Sequence, residues 1–305
     1  MTIEGRRDAL VFYGYLALAR LALALPEPVA YGLADAGGAI ASRLFPARRA
    51  VVAANLARVT GAPAGSSRLG RHVTAAYRSY ARYWVETFRL VRETRSFFLE
   101  RFECRGVEAI DQALERGTGV IVVGAHLGNW DAAGAWAAAT GRPITAIAEV
   151  LRPRRLFDFF VSHRERLGMS IVPAEGGAIR KLVAAVEEGR IVAIVGDRDL
   201  RGRGPRVSFF GETATLPSGP ALVALRTGAP LVVMGVYGVR RANGRRGWVG
   251  HILEPIEPPR EPGPDAVQLL TQEIAAHLER LIARHPEEWH VFQPFWSVDR
   301  KAARR

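Results

Sequence analysis

The apolar residues of this 305-residue chain follow two different rhythms. Over residues 8–100, apolar and aromatic side chains recur at three- and four-residue spacing, which is typical of amphipathic helices. From about residue 102, short continuous apolar runs alternate with helical patterns, as where TGVIVVGAH is followed by NWDAAGAWAAAT. The change of rhythm predicts a helical N-terminal region over 1–100 and an α/β core, one compact unit, over 101–300.

Five further runs of the second half predict strands. Four are mainly apolar and one has a more exposed pattern; in chain order they are PITAIAE, SIVP, RIVAIVGDRD, APLVVMGVYG and the more exposed RGWVGHILEPI. Continuous apolar strands separated by helices are typical of a mainly parallel central sheet covered by helices on both faces. In such sheets ligands bind beyond the carboxyl ends of the strands, so the candidate site residues are those that follow a strand.

The N-terminal region contains a loop, GAPAGSS at 61–67, after which Ser66 or Ser67 is a candidate helix cap. Its first helix, ALVFYGYLALARLALALPEP, is interrupted by Arg20, whereas a membrane-spanning helix needs about 20 apolar residues. An apolar face flanked by Arg6, Arg7 and Arg20 is typical of a helix that lies on a bilayer. We predict a peripheral protein on an anionic membrane surface; an ordinary core helix is the alternative.

The charge of the chain favours anionic partners. The formal net charge is +12, and only Lys181 and Lys301 are lysines, so 40 of the 42 basic residues are arginines. Arginine binds phosphate groups in bidentate fashion, and a positive surface attracts anionic lipid, nucleic acid or acidic ligands, although GC-rich codon usage would produce the same bias. Because the sequence has no zinc-finger, aromatic RNA-binding or basic-zipper signature, we expect no nucleic-acid partner.

The segment HLGNWD carries the main chemical signal. His126 follows a predicted strand and Asp131 comes five positions later. Residues five apart on one helix do not share a face, so His126 must lie in the turn before the helix if Asp131 is to reach it, and Gly128 gives that turn its freedom. A histidine held by a carboxylate is typical of a general base. A purely structural pair remains an alternative; the other histidines are dispersed, so we expect no metal site.

HLGNWD is an H-x4-D motif after a buried strand and resembles that of the glycerolipid acyltransferase superfamily. GDRDLRGRGPRVSFFGETATLPSGPALVALRTGAPLVVMGVY resembles the second half of one branch, which contains the bacterial lipid A late acyltransferases and the actinobacterial phosphatidylinositol mannoside acyltransferases. The ending RHPEEWHVFQPFW is similar to the mannoside branch, because lipid A enzymes typically have histidine and arginine in place of QP. The resemblance runs from about residue 8 to 298.

The resemblance implies a function and a set of residues. His126 would deprotonate a sugar or glycerol hydroxyl that attacks an acyl thioester, with acyl-CoA as co-substrate and no cofactor. The carboxylate that orients His126 would be Asp131 or Asp197, the latter at the carboxyl end of another predicted strand and shorter than the glutamate of the mannoside branch. Asp131 would otherwise serve the N-terminal dipole of its own helix. We rank Asp197 slightly ahead.

The resemblance also implies substrate-binding residues. Arginines would hold the phosphates of the acyl carrier and of the lipid head group; the candidates are Arg164, Arg198 and Arg206. Pro217 would begin the helix of the TLPSGPA block, where Pro217 and Ser218 would accommodate the acceptor.

The expected activity is transfer of a long fatty acyl chain from acyl-CoA to a hydroxyl, expected on mannose, of a phosphatidylinositol mannoside-type glycolipid. The enzyme would work as a peripheral protein at the cytoplasmic face of the cell membrane. Two alternatives stay open: a lipid A-type acyltransferase that uses acyl carrier protein, and a non-catalytic lipid-binding protein.

Overall fold

The computed structural model describes residues 3–199, 201–242 and 244–302. The N-terminal region is helical, as predicted, and has five helices among the described residues: α1 Ile3–Ala24, α2 Glu27–Leu44, α3 Pro46–Thr60, α4 Ser67–Leu90 and α5 Arg95–Arg101.

Local signals set the ends of these helices. Pro46 occupies the first turn of α3, where its missing N–H is not needed, and α3 ends at Gly61 in the left-handed conformation. Of the two serines predicted as caps, Ser66 is the one that caps α4, because its Oγ accepts the N–H of Leu69 at 3.2 Å.

The second half of the chain forms a seven-stranded sheet in the order β1-β9-β8-β2-β5-β3-β4. Five neighbouring strands are parallel, β9 runs antiparallel to β8, and β1 is parallel to β9, which confirms a mainly parallel sheet. The strands are β1 Phe102–Arg105, β2 Val120–Gly124, β3 Ile144–Ala148, β4 Ser170–Pro173, β5 Ile191–Val195, β8 Leu231–Arg240 and β9 Arg246–Ile252. A separate hairpin consists of β6 Arg206–Phe209 and β7 Glu212–Thr215.

Helices cover both faces of the sheet, as the continuous apolar strands predict. Ile121 and Val123 of β2 belong to one core with α9, α10 and α11, whereas Val120 and Val122 belong to another with α5, α6 and α7. The helices of this half are α6 Glu108–Glu115, α7 Trp130–Ala139, α8 Arg154–Arg166, α9 Ala178–Glu187, α10 Gly219–Thr227, α11 Ala266–Ile282 and α12 Ser297–Ala302, with a 3₁₀ turn at Pro286–Glu288.

Three local expectations differ from the structure. The strand predicted as more exposed, β9, lies between β1 and β8 and is buried over residues 247–250, because Gly247 and Gly250 lack the bulk that marks a buried strand in sequence. Strands β1, β6 and β7 were not predicted: each is four residues long and contains a charged residue, so it shows neither a continuous apolar run nor a period. Pro217 does not begin a helix: α10 begins at Gly219, and Pro220 is the proline of its first turn.

Strand register is the feature that positions the site. Central strand β2 lies between β8 and β5, and Gly124 at its end is opposite Val195 at the end of β5. His126 and Asp197 each follow two residues later. The two strands therefore place these side chains at the carboxyl edge of the sheet at the same level. The boundary between 1–100 and 101–300 stays a prediction.

Candidate active site

The structure brings His126 and Asp197 into direct contact. The Nδ1 atom of His126 lies 2.6 Å from Oδ1 of Asp197, and the backbone N–H of His126 donates to Oδ2 at 3.1 Å. The carboxylate is fully buried, whereas the imidazole side chain keeps 20% of its surface exposed. One ring nitrogen is therefore held from inside the protein while the ring remains open to a substrate.

Asp197 is held in its ionised form. Burial by itself would raise the pKa of its carboxyl, but the neighbouring His126 and the N–H donors of His126 and Trp289 together place that pKa below its ordinary value. An ionised Asp197 can only accept hydrogen bonds, so Nδ1 of His126 carries the proton of this bond, and in the neutral imidazole the lone pair lies on Nε2.

Asp131 is engaged elsewhere. Its Oδ1 accepts the Nε–H of Arg164 at 2.7 Å, and its Oδ2 accepts the hydroxyl of Tyr83 at 3.2 Å. Burial opposes ionisation of Asp131, but the charge and hydrogen bonds of Arg164 place its pKa below its ordinary value. The H-x4-D motif thus joins α7 to α8 and α4, and the slight preference for Asp197 as the partner of His126 agrees with the geometry. The catalytic roles themselves stay predictions.

The turn between β2 and α7 has a tightly specified backbone. Gly128 has φ +61°, and a Cβ atom there would lie 2.1 Å from the carbonyl oxygen of Val236. Asn129 caps α7 by accepting the N–H of Ala132 at 3.0 Å, and its amide donates to the carboxylate of Glu86 at 3.0 Å. Glycine and asparagine at these two positions therefore shape the loop that presents His126.

The segment 286–290 closes over this turn from the other side. The N–H of Gly128 donates to the carbonyl of Glu288 at 2.9 Å, and the N–H of His290 donates to the carbonyl of His126 at 2.7 Å. In the sequence, RHPEEWHVFQPFW carries a family resemblance, and none of its residues is a predicted site residue. The signal available in the sequence was the pair Trp289 and His290 directly after Glu287 and Glu288.

An aromatic wall stands beside His126. Its ring contacts the indole of Trp130 edge-on at 5.1 Å between centroids, and Trp130 stacks on Tyr83 at 4.4 Å. His290, Tyr80 and Phe292 continue the cluster. Burial lowers the pKa of His290 to about 3, so this second imidazole is neutral and its Nε2 is hydrogen-bonded to Ser79 at 3.0 Å. These rings form an aromatic surface next to His126.

A polar cavity of about 110 Å³ lies beside the turn between β2 and α7. Gly128, Asn129 and His290 line it together with Arg82, Glu86 and Glu288. Burial raises the pKa of Glu86 above its ordinary value and that of Glu288 to about 7. Glu288 therefore titrates near neutral pH, one residue away from Trp289 and two from His290.

The remaining predicted residues lie at four different places. Arg164 is paired with Asp131 and is not a free phosphate ligand in this structure. Arg198 follows Asp197 and lies 3.3 Å from a carboxylate oxygen of Glu149, whereas Arg206 is an exposed residue of β6. Pro217 and Ser218 precede α10, whose Pro220 lies beside Gly196 at the end of β5. Phosphate and acceptor binding by these residues stay predictions.

Among the described residues, no cluster of three or more histidine, cysteine or carboxylate side chains is arranged to hold a metal ion. No helix within the described part of the chain is both long enough and apolar enough to cross a membrane.

The fold and the site define an acyltransferase: a mainly parallel α/β sheet carries a histidine–carboxylate pair at the ends of two adjacent strands, with the histidine in an H-x4-D turn. The chain belongs to the bacterial lipid A biosynthesis acyltransferase family, whose model matches residues 6–297. This confirms the resemblance that the sequence motifs indicate.

Relatives with a described activity cover most of the chain. It is 33% identical to the phosphatidylinositol mannoside acyltransferase of Mycolicibacterium smegmatis over 311 aligned positions, which span 100% of this chain and 98% of that protein. It is 34% identical to the protein of the same name from Mycobacterium tuberculosis H37Rv, over 82% of this chain and 78% of that protein. The crystal structure of the 1-acyl-sn-glycerophosphate acyltransferase PlsC of Thermotoga maritima matches 77% of this chain and 97% of its own at 14% identity, with a TM-score of 0.37.

Proposed function

We propose that this acyltransferase moves a long fatty acyl chain from acyl-CoA to a hydroxyl, on mannose, of a phosphatidylinositol mannoside-type glycolipid. The 2.6 Å contact between His126 and Asp197 at the strand ends is the observation that carries the proposal. The similarity to two mycobacterial phosphatidylinositol mannoside acyltransferases supports the acceptor. The aromatic wall beside His126 supports a long acyl chain.

The proposed chemistry needs one base and no covalent enzyme intermediate. Nε2 of His126 accepts the proton of the acceptor hydroxyl as the hydroxyl oxygen attacks the thioester carbonyl, and Asp197 stabilises the imidazolium that forms. The tetrahedral intermediate then collapses, the carbon–sulfur bond breaks, and the coenzyme A thiolate takes the proton back from Nε2. The base is thus regenerated in each turnover.

The oxyanion of the tetrahedral intermediate and the phosphates of the substrates need hydrogen-bond donors. Backbone N–H groups at the N-terminus of α7, close to His126 in sequence, and the guanidinium of Arg198, adjacent to Asp197 in sequence, are the proposed donors for the oxyanion. Arg198 and Arg206 are the proposed phosphate ligands, and Ser218 and Pro217 the proposed acceptor contacts. Arg164 is proposed to act indirectly, because its guanidinium is bound to Asp131.

The place of work is proposed to be the cytoplasmic face of the cell membrane, with the protein bound peripherally. Leu10, Leu18 and Leu44 are more than half exposed, and Arg20 and Arg48 are exposed on α1 and α3 beside them in sequence. An exposed apolar surface with basic residues binds anionic bilayers through both apolar burial and charge. A glycolipid acceptor and a water-soluble acyl-CoA would meet on such a surface.

The test uses purified protein, long-chain acyl-CoA and phosphatidylinositol mannoside in vesicles, with the product detected by mass spectrometry. The expected result is a phosphatidylinositol mannoside with one additional acyl chain, and this product should be absent with His126→Ala. Transfer only from acyl carrier protein to a lipid A precursor would identify the lipid A-type alternative. Vesicle and glycolipid binding without transfer from either donor would identify the non-catalytic alternative.

A further inference from the structure

Asp197 makes one hydrogen bond that the base itself does not supply. The indole Nε1–H of Trp289 donates to Oδ2 of Asp197 at 2.9 Å. The same oxygen accepts the backbone N–H of His126, while Oδ1 faces the imidazole. Because the carboxylate is fully buried, these three N–H groups are the hydrogen-bond donors that stabilise its charge inside the protein.

The backbone around Trp289 is anchored to the catalytic turn without the help of the indole. Leu127 and Trp289 form an isolated antiparallel bridge, flanked by the bonds from Gly128 to Glu288 and from His290 to His126. The indole is then fixed in direction by its neighbours: its centroid lies 5.1 Å from the ring of Phe295 and 6.2 Å from those of Phe209 and Trp296. Trp289 is therefore a rigid donor aimed at a carboxylate that comes from a residue 92 positions earlier.

A carboxylate with one fixed oxygen has its rotation fixed as well. If the indole N–H binds Oδ2, the plane of the carboxylate is set and Oδ1 must face Nδ1 of His126. Hydrogen bonds to a charged group are worth more than neutral ones and act over a narrow range of angles.

We propose that Trp289 is a positioning residue of the active site, which acts on His126 through Asp197 and makes the pair a three-membered chain, Trp289–Asp197–His126. The proposal rests on the proposed function only in taking His126 as the base. Trp289 acts by keeping the Asp197 carboxylate oriented for the imidazole.

The chain offers a matched control in Trp296. Both indoles are buried, both belong to the same aromatic cluster, and both donate through Nε1 at 2.9 Å. The acceptor of Trp296 is the backbone carbonyl of Phe209 in the β6–β7 hairpin. Trp289→Phe and Trp296→Phe therefore remove the same atoms from the same core, and only the first removes a donor from Asp197.

Steady-state kinetics of the two variants give the first test. For Trp289→Phe we expect kcat to fall about ten- to a hundredfold, the loss of one charge-assisted hydrogen bond, with little change in KM. The acid limb of the pH profile of kcat/KM should move to higher pH, because an Asp197 with one donor fewer is more basic and holds the proton of the pair more strongly. Trp296→Phe should match the wild type in kcat and in pH profile. Equal kcat losses in the two variants, or none in Trp289→Phe, would overturn the proposal.

A second test works without turnover. Replacement of Trp289 by 3-benzothienylalanine substitutes sulfur for the N–H and keeps the ring shape, so it preserves packing where Trp289→Phe fails to fold. NMR titration of the His126 ring should then show protonation at higher pH than in the wild type. An unchanged titration would exclude the positioning role. If His126→Ala retained transfer while the titration still shifted, the proposed function would be wrong and the hydrogen-bond chain would stand.

Discussion

At the scale of single residues, the contrast between two aspartates explains the site. Asp197 and Asp131 are both buried and both ionised, but their partners differ. Asp197 faces an imidazole that can take up a proton, and Asp131 faces a guanidinium that never gives one up. Only Asp197 can respond to a proton that arrives on the base, so its contribution should appear in the rate of transfer.

Asp197→Asn should lower the rate of transfer by about 10²–10⁴-fold, because a neutral amide cannot stabilise the imidazolium. The amide keeps the shape of the carboxylate, so we expect the melting temperature to change little. Turnover and thermal melts of Asp197→Asn and of Asp158→Asn, which alters an exposed carboxylate of α8, test this. An active Asp197→Asn enzyme would contradict the assignment of Asp197.

Glu288 should give the folded protein a pH dependence near neutrality. The unfolded chain releases this proton near pH 4.5, whereas the folded protein holds it until about pH 7, so the free energy of unfolding falls as the pH rises through this window. Glu288→Gln does not titrate and keeps an oxygen for the N–H of Gly238. Its stability relative to the wild type should therefore increase by up to about 3 kcal/mol from pH 4.5 to 7, measured by denaturant melts at each pH. A pH-independent difference would show that Glu288 ionises normally.

At the scale of elements, the turn between β2 and α7 is a tightly constrained connection at the site. It must reverse the chain within the space left by β8, and Gly128 lies against Val236 of that strand. The turn therefore depends on a left-handed glycine and on close backbone packing together.

Gly128→Ala should unfold or distort this turn, and Gly141→Ala is its control. Both glycines have positive φ, but no atom lies within 4 Å of a Cβ built at Gly141. Gly141→Ala should lose about 1–2 kcal/mol of stability through backbone strain alone. Gly128→Ala should lose about 1–3 kcal/mol more, from the clash with Val236, and most of its activity. Equal losses in thermal melts would show that the clash is relieved.

The ion pair between α7 and α8 should contribute to stability. Asp131→Asn leaves Arg164 without its partner, and we expect a loss of about 3 kcal/mol, the low end for a buried pair, because Arg164 keeps 19% of its side chain exposed. Asp111→Asn breaks a pair with Arg142 in which the carboxylate is 37% exposed, and it should lose no more than about 1 kcal/mol. Chemical denaturation of both variants makes the comparison. Similar values would mean that Asp131 serves only its own helix end.

At the scale of the whole molecule, exposed apolar side chains are concentrated in one stretch. Ten of the thirteen large hydrophobic residues that are exposed in the described part of the chain lie between residues 10 and 45, on α1, α2 and the residue after α2. A surface of this kind is unusual for a protein that works in water alone. It is adjacent in sequence to the arginine-rich start of α3, which adds charge to the same region.

Membrane binding should depend on this stretch. Leu10→Ser with Leu44→Ser should weaken binding to anionic vesicles several-fold at unchanged melting temperature, since these side chains are 76% and 67% exposed. Leu269→Ser, at a leucine of α11 that is 66% exposed, is the control and should bind like the wild type. Vesicle co-sedimentation measures all three. High salt or carbonate should release the native protein from membranes, and retention after both would contradict peripheral binding.

The sequence by itself determined the elements and their class, because periodicity is local. The 119–124 and 191–195 runs are short, continuous and apolar, which favours buried strands, and a histidine or aspartate two residues after such a run lies at the carboxyl edge. The four-residue β1 was not predicted, and the glycine-containing β9 was predicted as a strand but as a more exposed one. The H-x4-D motif marked His126 and Asp131, and the end of another predicted strand marked Asp197.

Only the tertiary structure decided which carboxylate meets the base and what holds it. That choice depends on β5 being the neighbour of β2 in matching register, and strand order is a property of packing between segments far apart in the chain. The hydrogen bonds from Arg164 to Asp131 and from Trp289 to Asp197 likewise depend on packing between segments that are far apart in the chain. Spacing in the sequence can place a side chain at the edge of a sheet. Its hydrogen-bond partner there depends on which buried charged groups the fold brings within reach, because a buried charge without a partner is costly.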